Sequence, residues 1–216
     1  MKKKNLLLRF AVLVAAMMCA LGAAAAEAYA CYTSTNNTLT FYYDNQRSSR
    51  TGETFDLNTG SNSPAWDYVD LNENVRKVVF HSSFASARPA STCRWFANKE
   101  LLESIEGLNY LNTSAVTIMA NMFSDSYLIG NLDLSHFNTA NVTDMSFMFG
   151  EFHTEKRLLN LSSFDTRNVT KMDRMFSGSN VKTIIVGDGW TTENVASAYG
   201  MFAFCGSLVG DRKSVV

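Results

Sequence analysis

Cysteine is scarce in this chain of 216 residues, and its few cysteines lie far apart. Beyond residue 30 only Cys31, Cys93 and Cys205 remain, and none belongs to a CxxC pair. A disulfide framework or a structural zinc site needs more cysteines at closer spacing. The sequence therefore argues against both.

Catalytic and metal-binding motifs are lacking as well. No GxSxG turn, Walker loop, HExxH motif or spaced carboxylate pair brings a nucleophile together with a base. The histidines His81, His136 and His153 have no partner at metal-ligand spacing. Residues 56–67 alternate Asp and Asn as a calcium loop does, but the glycine is misplaced and the twelfth residue is Asp67, so a turn-rich connection is favoured. We expect no enzyme activity, no cofactor and no metal site.

An excess of positive charge is also missing. Without the four cations before residue 10 and without Glu27, the totals of 19 basic and 20 acidic residues become 15 and 19, a net charge of −4. A nucleic-acid partner requires a basic face, so this class of partner is excluded. No later segment approaches the roughly 20 apolar residues of a membrane span, so we expect no transmembrane segment in the mature chain.

The N-terminus has the pattern of a secretory signal peptide. Lysines and an arginine precede the apolar stretch "FAVLVAAMMCALGAAAA", and Ala28-Tyr29-Ala30 is a small-x-small cleavage site. We expect residues 1–30 to be a leader and the mature protein to be secreted or held at the cell surface. A lipid anchor at Cys31 is the less favoured alternative, because Ala28 and Tyr29 do not match a lipoprotein signal.

One phrase recurs with a period of 26 or 27 residues, as in "NVTDMSFMF" and "NVTKMDRMF". Four columns share this period, which indicates a repeat architecture. The recurring positions that we expect to form the repeat core are Val116, Met119, Met122, Phe123, Val142, Met145, Met148, Phe149, Val169, Met172, Met175, Phe176, Val195, Met201 and Phe202. Methionine suits such a core because its flexible thioether fills gaps between imperfect copies.

The spacing within one copy predicts its local structure. Val142, Met145 and Met148 lie three residues apart, on one stripe of a short helix, and "NLDLSHF" alternates as a strand does. Asn141 or Thr143 is positioned to cap the helix. We therefore predict an α/β fold: residues 78–210 form a short right-handed, leucine-rich-repeat-like solenoid of strand, turn and short helix. Residues 31–77, with two strands in "NTLTFYYDNQRSSRTGETFDL", form an N-terminal β-rich cap.

The repeats resemble those of a known family. "LDLSHFNTANVTDMSFMF" and "LSSFDTRNVTKMDRMF" are similar to the leucine-rich repeat of the bacterial surface protein BspA, which is also abundant in mycoplasma lipoproteins, and the preceding segments resemble such proteins from Prevotella-like bacteria. The resemblance implies a secreted or surface-exposed repeat protein, with adhesion or host-protein binding as the function and no enzyme. Residues 211–216, "DRKSVV", depart from the family's pattern and look like translated adapter DNA, which predicts a truncated gene product.

We therefore expect a binding scaffold that recognises an extracellular or host protein. The positions that vary between copies are the candidate binding surface: Ser135, His136, Asn138, Ala140, Ser162, Ser163, Asp165 and Arg167. The alternative is a structural stalk that spaces a missing C-terminal domain from the cell surface.

Overall fold

The computed structural model describes residues 25–67 and 71–209. In these ranges the chain forms nine β-strands, four short 3-10 helices and no α-helix. The strands are β1 (Glu27–Thr33), β2 (Thr38–Asp44), β3 (Glu53–Asp56), β4 (Lys77–Phe80), β5 (Ser104–Glu106), β6 (Tyr127–Leu128), β7 (His153–Thr154), β8 (Leu158–Leu161) and β9 (Thr183–Val186). The 3-10 helices are Arg47–Ser49, Ala65–Asp67, Ser82–Ser86 and Leu108–Tyr110.

The N-terminal strands form one mixed sheet in the order β3-β1-β2-β4-β5. β1 is antiparallel to both β2 and β3, whereas β4 is parallel to β2 and β5 is parallel to β4. Phe41 lies at the centre of the core behind this sheet, stacked on Phe80 at 4.6 Å and on Trp95 at 4.9 Å between ring centroids. The predicted strands of the cap are present as β2 and β3, but they do not pair with each other because β1 lies between them.

β1 contains the end of the predicted leader. Most of residues 1–30 lie outside the described residues, but Ala28, Tyr29 and Ala30 belong to this strand. The side chains of Tyr29 and Ala30 are fully buried, and the Tyr29 hydroxyl donates to Asp44 Oδ1 at 2.7 Å. Cleavage after Ala30 would therefore divide a buried strand. The predicted non-native tail, residues 211–216, also lies outside the described residues.

The predicted strand–turn–helix solenoid is wrong. The described residues contain small mixed sheets and short 3-10 helices but no α-helix. Each repeat unit has a segment with Met-Phe, or with Trp95-Phe96 in the first unit, and we call it the Met-Phe segment. The five segments are residues 91–98, 118–125, 144–151, 171–178 and 197–204, numbered here as units 1 to 5. Two residues of every Met-Phe segment have a positive φ, between 50° and 70°. An α-helix requires consecutive right-handed residues, so these positions interrupt it.

The left-handed positions occupy two columns of the repeat. The first column is Arg94, Asn121, Phe147, Arg174 and Gly200, and the second is Asn98, Asp125, Glu151, Gly178 and Phe204. Between them the backbone makes successive tight turns, such as Met148 N–H to Met145 O at 3.1 Å and Gly150 N–H to Phe147 O at 3.0 Å. Tight turns of this kind reproduce the three-residue spacing from which a helix was predicted.

In units 1 to 4, the alternate amides of the Met-Phe segment bind the next unit instead of their own. The amides of Met145, Phe147, Phe149 and Glu151 donate to carbonyls of unit 4 at 2.7–2.9 Å. Isolated parallel bridges join the units in the same register, through Ser91, Ile118, Asp144, Lys171 and Ser197. Neighbouring units are thus held side by side by backbone hydrogen bonds.

Two further local predictions need correction. "NLDLSHF" forms no strand, and among the described residues after β5 the strands are the two parallel pairs β6-β7 and β8-β9. Asn141 and Thr143 cap no helix. The Asn141 side-chain amide donates to Ser114 O at 2.8 Å, and the Thr143 hydroxyl donates to Thr117 O at 3.2 Å, so both bind the preceding unit.

The phenylalanine column forms a stack. Phe123, Phe149 and Phe176 lie 5.5 and 5.8 Å apart between centroids, with ring planes within 2° of parallel. The predicted core positions of units 2 to 4 are at most 1% exposed. In unit 5, Val195 and Met201 are only partly buried and Phe202 is 48% exposed. The last unit differs because no described unit follows it.

Candidate functional site

The candidate binding surface consists of positions that lie in neighbouring columns of the repeat. Ser135, Asn138, Ser162 and Arg167 are exposed, and His136, Ala140, Ser163 and Asp165 are half-buried. Successive units meet here directly, since the Ser163 hydroxyl donates to Leu134 O at 2.9 Å. The structure therefore brings these positions of units 3 and 4 together on one side of the repeats.

Several polar groups of this surface already have partners within the protein. The buried hydroxyl of Thr139 donates to Asp165 O at 2.9 Å and accepts from Asp165 N–H at 2.8 Å, and Thr113 makes the same pair of bonds with Asn138. The Arg167 guanidinium and its backbone amide bind the Asp165 carboxylate and lower the pKa of that carboxyl to about 2. These groups fix the units in register, which the sequence did not reveal because polarity alone does not separate bonded from unbonded side chains.

Two grooves meet at His136, beside this surface. One encloses about 240 Å³ and includes Asn109, Asn131 and Asp133, and the other encloses about 350 Å³ and includes Asn109, Tyr110 and several amide or hydroxyl groups. The His136 ring packs edge-on against Phe137 at 5.1 Å, and its Nε2 atom is buried without a hydrogen-bond partner among the described residues. Side-chain amides both donate and accept, so these grooves can satisfy the backbone of an extended polypeptide.

A third groove is acidic. It encloses about 500 Å³ and is lined by Glu100, Asp125, Ser126, Tyr127, Glu151 and His153. Asp125 and Glu151 occupy the second left-handed column, so successive units place carboxylates beside each other. The His153 Nδ1 atom lies 2.9 Å from Glu151 O and is bonded there to no nucleophile. No group of three or more His, Cys, Asp or Glu residues in the described ranges is arranged to hold a metal ion.

A comparison with protein families identifies the repeats. The family described as "Mycoplasma protein of unknown function, DUF285" matches residues 91–214, which is more than half of the chain. The chain belongs to this family. DUF285 is part of the BspA and mycoplasma group of repeat surface proteins, whereas a narrower assignment to BspA itself or to Prevotella-like bacteria stays a prediction. No curated protein and no solved structure matches the chain. None of the helices in the described ranges has the length and apolar character of a membrane span.

The DUF285 match begins at the first Met-Phe segment, so the cap, residues 31–77, lies outside it. The cap supplies side-chain donors to two of the four carbonyls that unit 1 presents, and Lys99, which follows unit 1, donates to a third. The Asn58 amide donates to Cys93 O at 3.0 Å, and the Trp66 indole donates to Trp95 O at 2.9 Å. Lys99, which is fully buried, donates to Ala97 O at 3.0 Å. The stretch that resembled a calcium loop thus contributes to closing one end of the DUF285 repeats.

Lys99 belongs to a buried polar cluster that the sequence analysis missed. Its ammonium group also donates to Asn72 Oδ1, and Arg94 Nε binds the buried Asp67 carboxylate at 2.6 Å. Burial lowers the pKa of Lys99 from 10.5 to about 8. The three cysteines beyond residue 30 form no disulfide, and burial raises the pKa of each thiol. No sequence pattern distinguishes Lys99 from an exposed lysine.

Proposed function

We propose that the chain is an exported, surface-exposed DUF285 protein that binds another protein. The partner is an extracellular or host protein, and the site is the pair of grooves at His136 together with the exposed candidate positions beside them. The observation that carries this proposal is the junction of the two grooves at His136, next to Ser135 and Asn138.

The chemistry of the grooves supports a polypeptide ligand. Asn109 and Asn131 are exposed and offer amide donors and acceptors, while Tyr110 contributes a half-buried ring. Amphipathic aromatic rings and adaptable amides are typical of protein-binding surfaces. The column arrangement adds Ser162 and Arg167 of unit 4 to the same surface, so a ligand that extends along the repeats would contact more than one unit.

Binding without catalysis is part of the proposal. The carboxylate of Asp165 is occupied by Arg167, and the Asn138 side chain accepts from Ala140 N–H at 3.1 Å. His136 packs against Phe137, and its buried Nε2 atom has no nucleophile or carboxylate bonded to it among the described residues. An activated nucleophile requires a bonded base, and the candidate surface offers none among its described residues.

The test is capture of extracellular-matrix and mucosal proteins by the recombinant chain, followed by biosensor titration of each captured protein. We expect Asn109→Ala with Asn131→Ala, and separately His136→Ala, to weaken binding at least about tenfold, the effect of losing about 1.4 kcal/mol of contact. The matched control is Glu100→Gln with Glu151→Gln in the acidic groove, which should leave the affinity unchanged. Loss of binding in the control alone, or equal affinity for every variant, would contradict the proposed site.

A further inference from the structure

The two ends of the row of repeat units differ in how their backbone groups are satisfied. At the N-terminal end, unit 1 presents four carbonyls in the register that joins neighbouring units, and Asn58, Trp66 and Lys99 donate to three of them, those of Cys93, Trp95 and Ala97. At the other end, unit 5 presents four amides at the positions whose equivalents bind the following unit: Ala198, Gly200, Phe202 and Phe204. None of these four amides has an acceptor among the described residues.

The same four positions are bonded at every earlier junction. In unit 4, the amides of Met172, Arg174, Phe176 and Gly178 donate to Ser197 O, Tyr199 O, Met201 O and Ala203 O at 2.8–2.9 Å. Units 1 to 3 make the corresponding four bonds at 2.7–3.1 Å. The unit 5 amides therefore form one more copy of a binding register that is occupied four times in this structure.

Side chains of unit 5 also lack the neighbours that cover their equivalents in the earlier units. Phe202 stacks on Phe176 at 5.4 Å and leaves its other face open, and Tyr199 and Phe204 are 74% and 87% exposed. The hydroxyl of Thr192 has no acceptor among the described residues, although Thr113, Thr139 and Thr166 in its column each bind the next unit. β9 pairs only with β8 in the described sheets, and Ile185 and Val186 are exposed along it. We call this combination of open amides, open Phe202 ring and β9 edge the C-terminal face.

We propose that the C-terminal face is a docking surface for one further unit of the same repeat, which supplies four carbonyls in the register of Ser197, Tyr199, Met201 and Ala203. Continuity with the earlier junctions favours this occupant, because the equivalent amides of units 1 to 4 are each covered by a following unit that presents such carbonyls.

Neither end of a second copy fits this face. The Met-Phe segment of unit 5 directs only amide donors outward, so two C-terminal faces brought together would oppose donor to donor. The N-terminal end of a second copy is largely closed, since three of its four carbonyls in this register already accept from Asn58, Trp66 and Lys99. A unit of the repeat with free carbonyls satisfies the hydrogen bonds, and its phenylalanine covers Phe202.

The experiment inserts a copy of residues 158–183 between Val209 and Gly210 and measures hydrogen exchange of the full chain. We expect the four amides at Ala198, Gly200, Phe202 and Phe204 to exchange at least about tenfold more slowly than in the unmodified chain, because hydrogen bonding within a covered unit protects amides. Binding of an apolar dye to the last unit should fall in parallel. Unchanged exchange at these four amides would overturn the proposal.

A control insertion carries Val169→Asp, Met175→Asp and Phe176→Asp in the inserted copy only, and it should give no protection. Equal protection in the control would show that any appended chain covers the face, which would also overturn the proposal. The Phe149 amide, bonded within the interior units, reports whether each chain is folded. The unmodified chain is measured at two concentrations, and protection that rises with concentration would assign the face to a second copy and reject a further unit.

Discussion

The buried Lys99, which binds Asn72 of the cap and Ala97 O of unit 1, gives the sharpest test of how the cap meets the repeats. Its pKa is lowered from 10.5 to about 8, mainly by burial and partly by the Arg94 charge, while the Asp67 carboxylate opposes this shift. Because the folded pKa is below the unfolded one, the unfolded chain binds more protons between these values. The Lys99 contribution to the free energy of unfolding must therefore increase with pH above about 8 and be flat below it.

The magnitude follows from the two pKa values. From pH 7 to pH 9.5 this linkage adds about 2 kcal/mol to the free energy of unfolding. The cysteine thiols and the phenols of Tyr29 and Tyr32 act in the opposite direction, since burial raises their folded pKa and their contribution is lost as pH rises above their unfolded values. The pH dependence of the wild type alone therefore mixes several groups. The contribution of Lys99 is isolated by the difference in free energy of unfolding between the wild type and a Lys99→Met variant.

The assay is urea unfolding under reducing conditions, followed by the fluorescence of the buried Trp66 and Trp95 at pH 7, 8, 9 and 9.5. We expect the stability difference between wild type and Lys99→Met to move by about 2 kcal/mol in favour of the wild type over this range. Lys182→Met, at an exposed lysine, is the matched control and should give a constant difference. A Lys99→Met difference that stays constant within about 0.5 kcal/mol would refute the description of Lys99 as a buried, neutralisable donor.

Three further predictions concern the repeats and the leader. Phe149→Ala removes a fully buried ring between two stacked neighbours and should lower the free energy of unfolding by about 3–5 kcal/mol. Phe202→Ala, at the half-exposed end of the stack, should lower it clearly less. Urea unfolding of both variants measures the two losses. Thr139→Val leaves the Asp165 amide without its acceptor and should lower the free energy of unfolding by about 1–3 kcal/mol in the same assay. The exposed Thr170→Val should lower it by about 0.5 kcal/mol or less. Equal losses would contradict the role of the buried threonine column. If the exported protein is cleaved, N-terminal sequencing should find the cut before Glu27, because cleavage after Ala30 would remove residues 27–30 of β1. A mature chain that begins at Cys31 would contradict this prediction.

The repeat period and the phenylalanine stack were accessible from the sequence, but the backbone was not. Residues three apart, such as Met145 and Met148, fit either a helix or successive tight turns. The distinguishing signal was the residue type at the left-handed columns, where Asn98, Asn121 and Gly178 favour a positive φ. Phe147 and Arg174 at equivalent positions obscured it, because such residues rarely adopt this conformation without the support of neighbouring units.

β1 was missed for a different reason. Ala28-Tyr29-Ala30 satisfies a cleavage pattern and a strand pattern equally well, and only the pairing with β2 and β3 reveals the strand, whereas the cleavage site stays a prediction. The candidate surface was located by polarity, which identified outward positions such as Ser135 and Ser162. Polarity could not show that Asp165 is bonded to Arg167, or that the grooves at His136 include residues as distant as Asn109.

The unequal lengths of the units show where the fold tolerates change. Phe149 and Phe176 are 27 residues apart, whereas Phe123 and Phe149 are 26 apart, yet all three rings stack in register. β6 and β7 pair at a spacing of 26, so the extra residue enters after Thr154, in the exposed stretch 155–157, where Arg157 has a φ of 50°. There the backbone can accommodate one extra residue without moving the Met-Phe segments. A one-residue shift in the register of a Met-Phe segment would break all four of its hydrogen bonds to the next unit. Register between units is therefore set by hydrogen bonds in the Met-Phe segments and threonine column, and the flexible methionines fill the space that this register leaves.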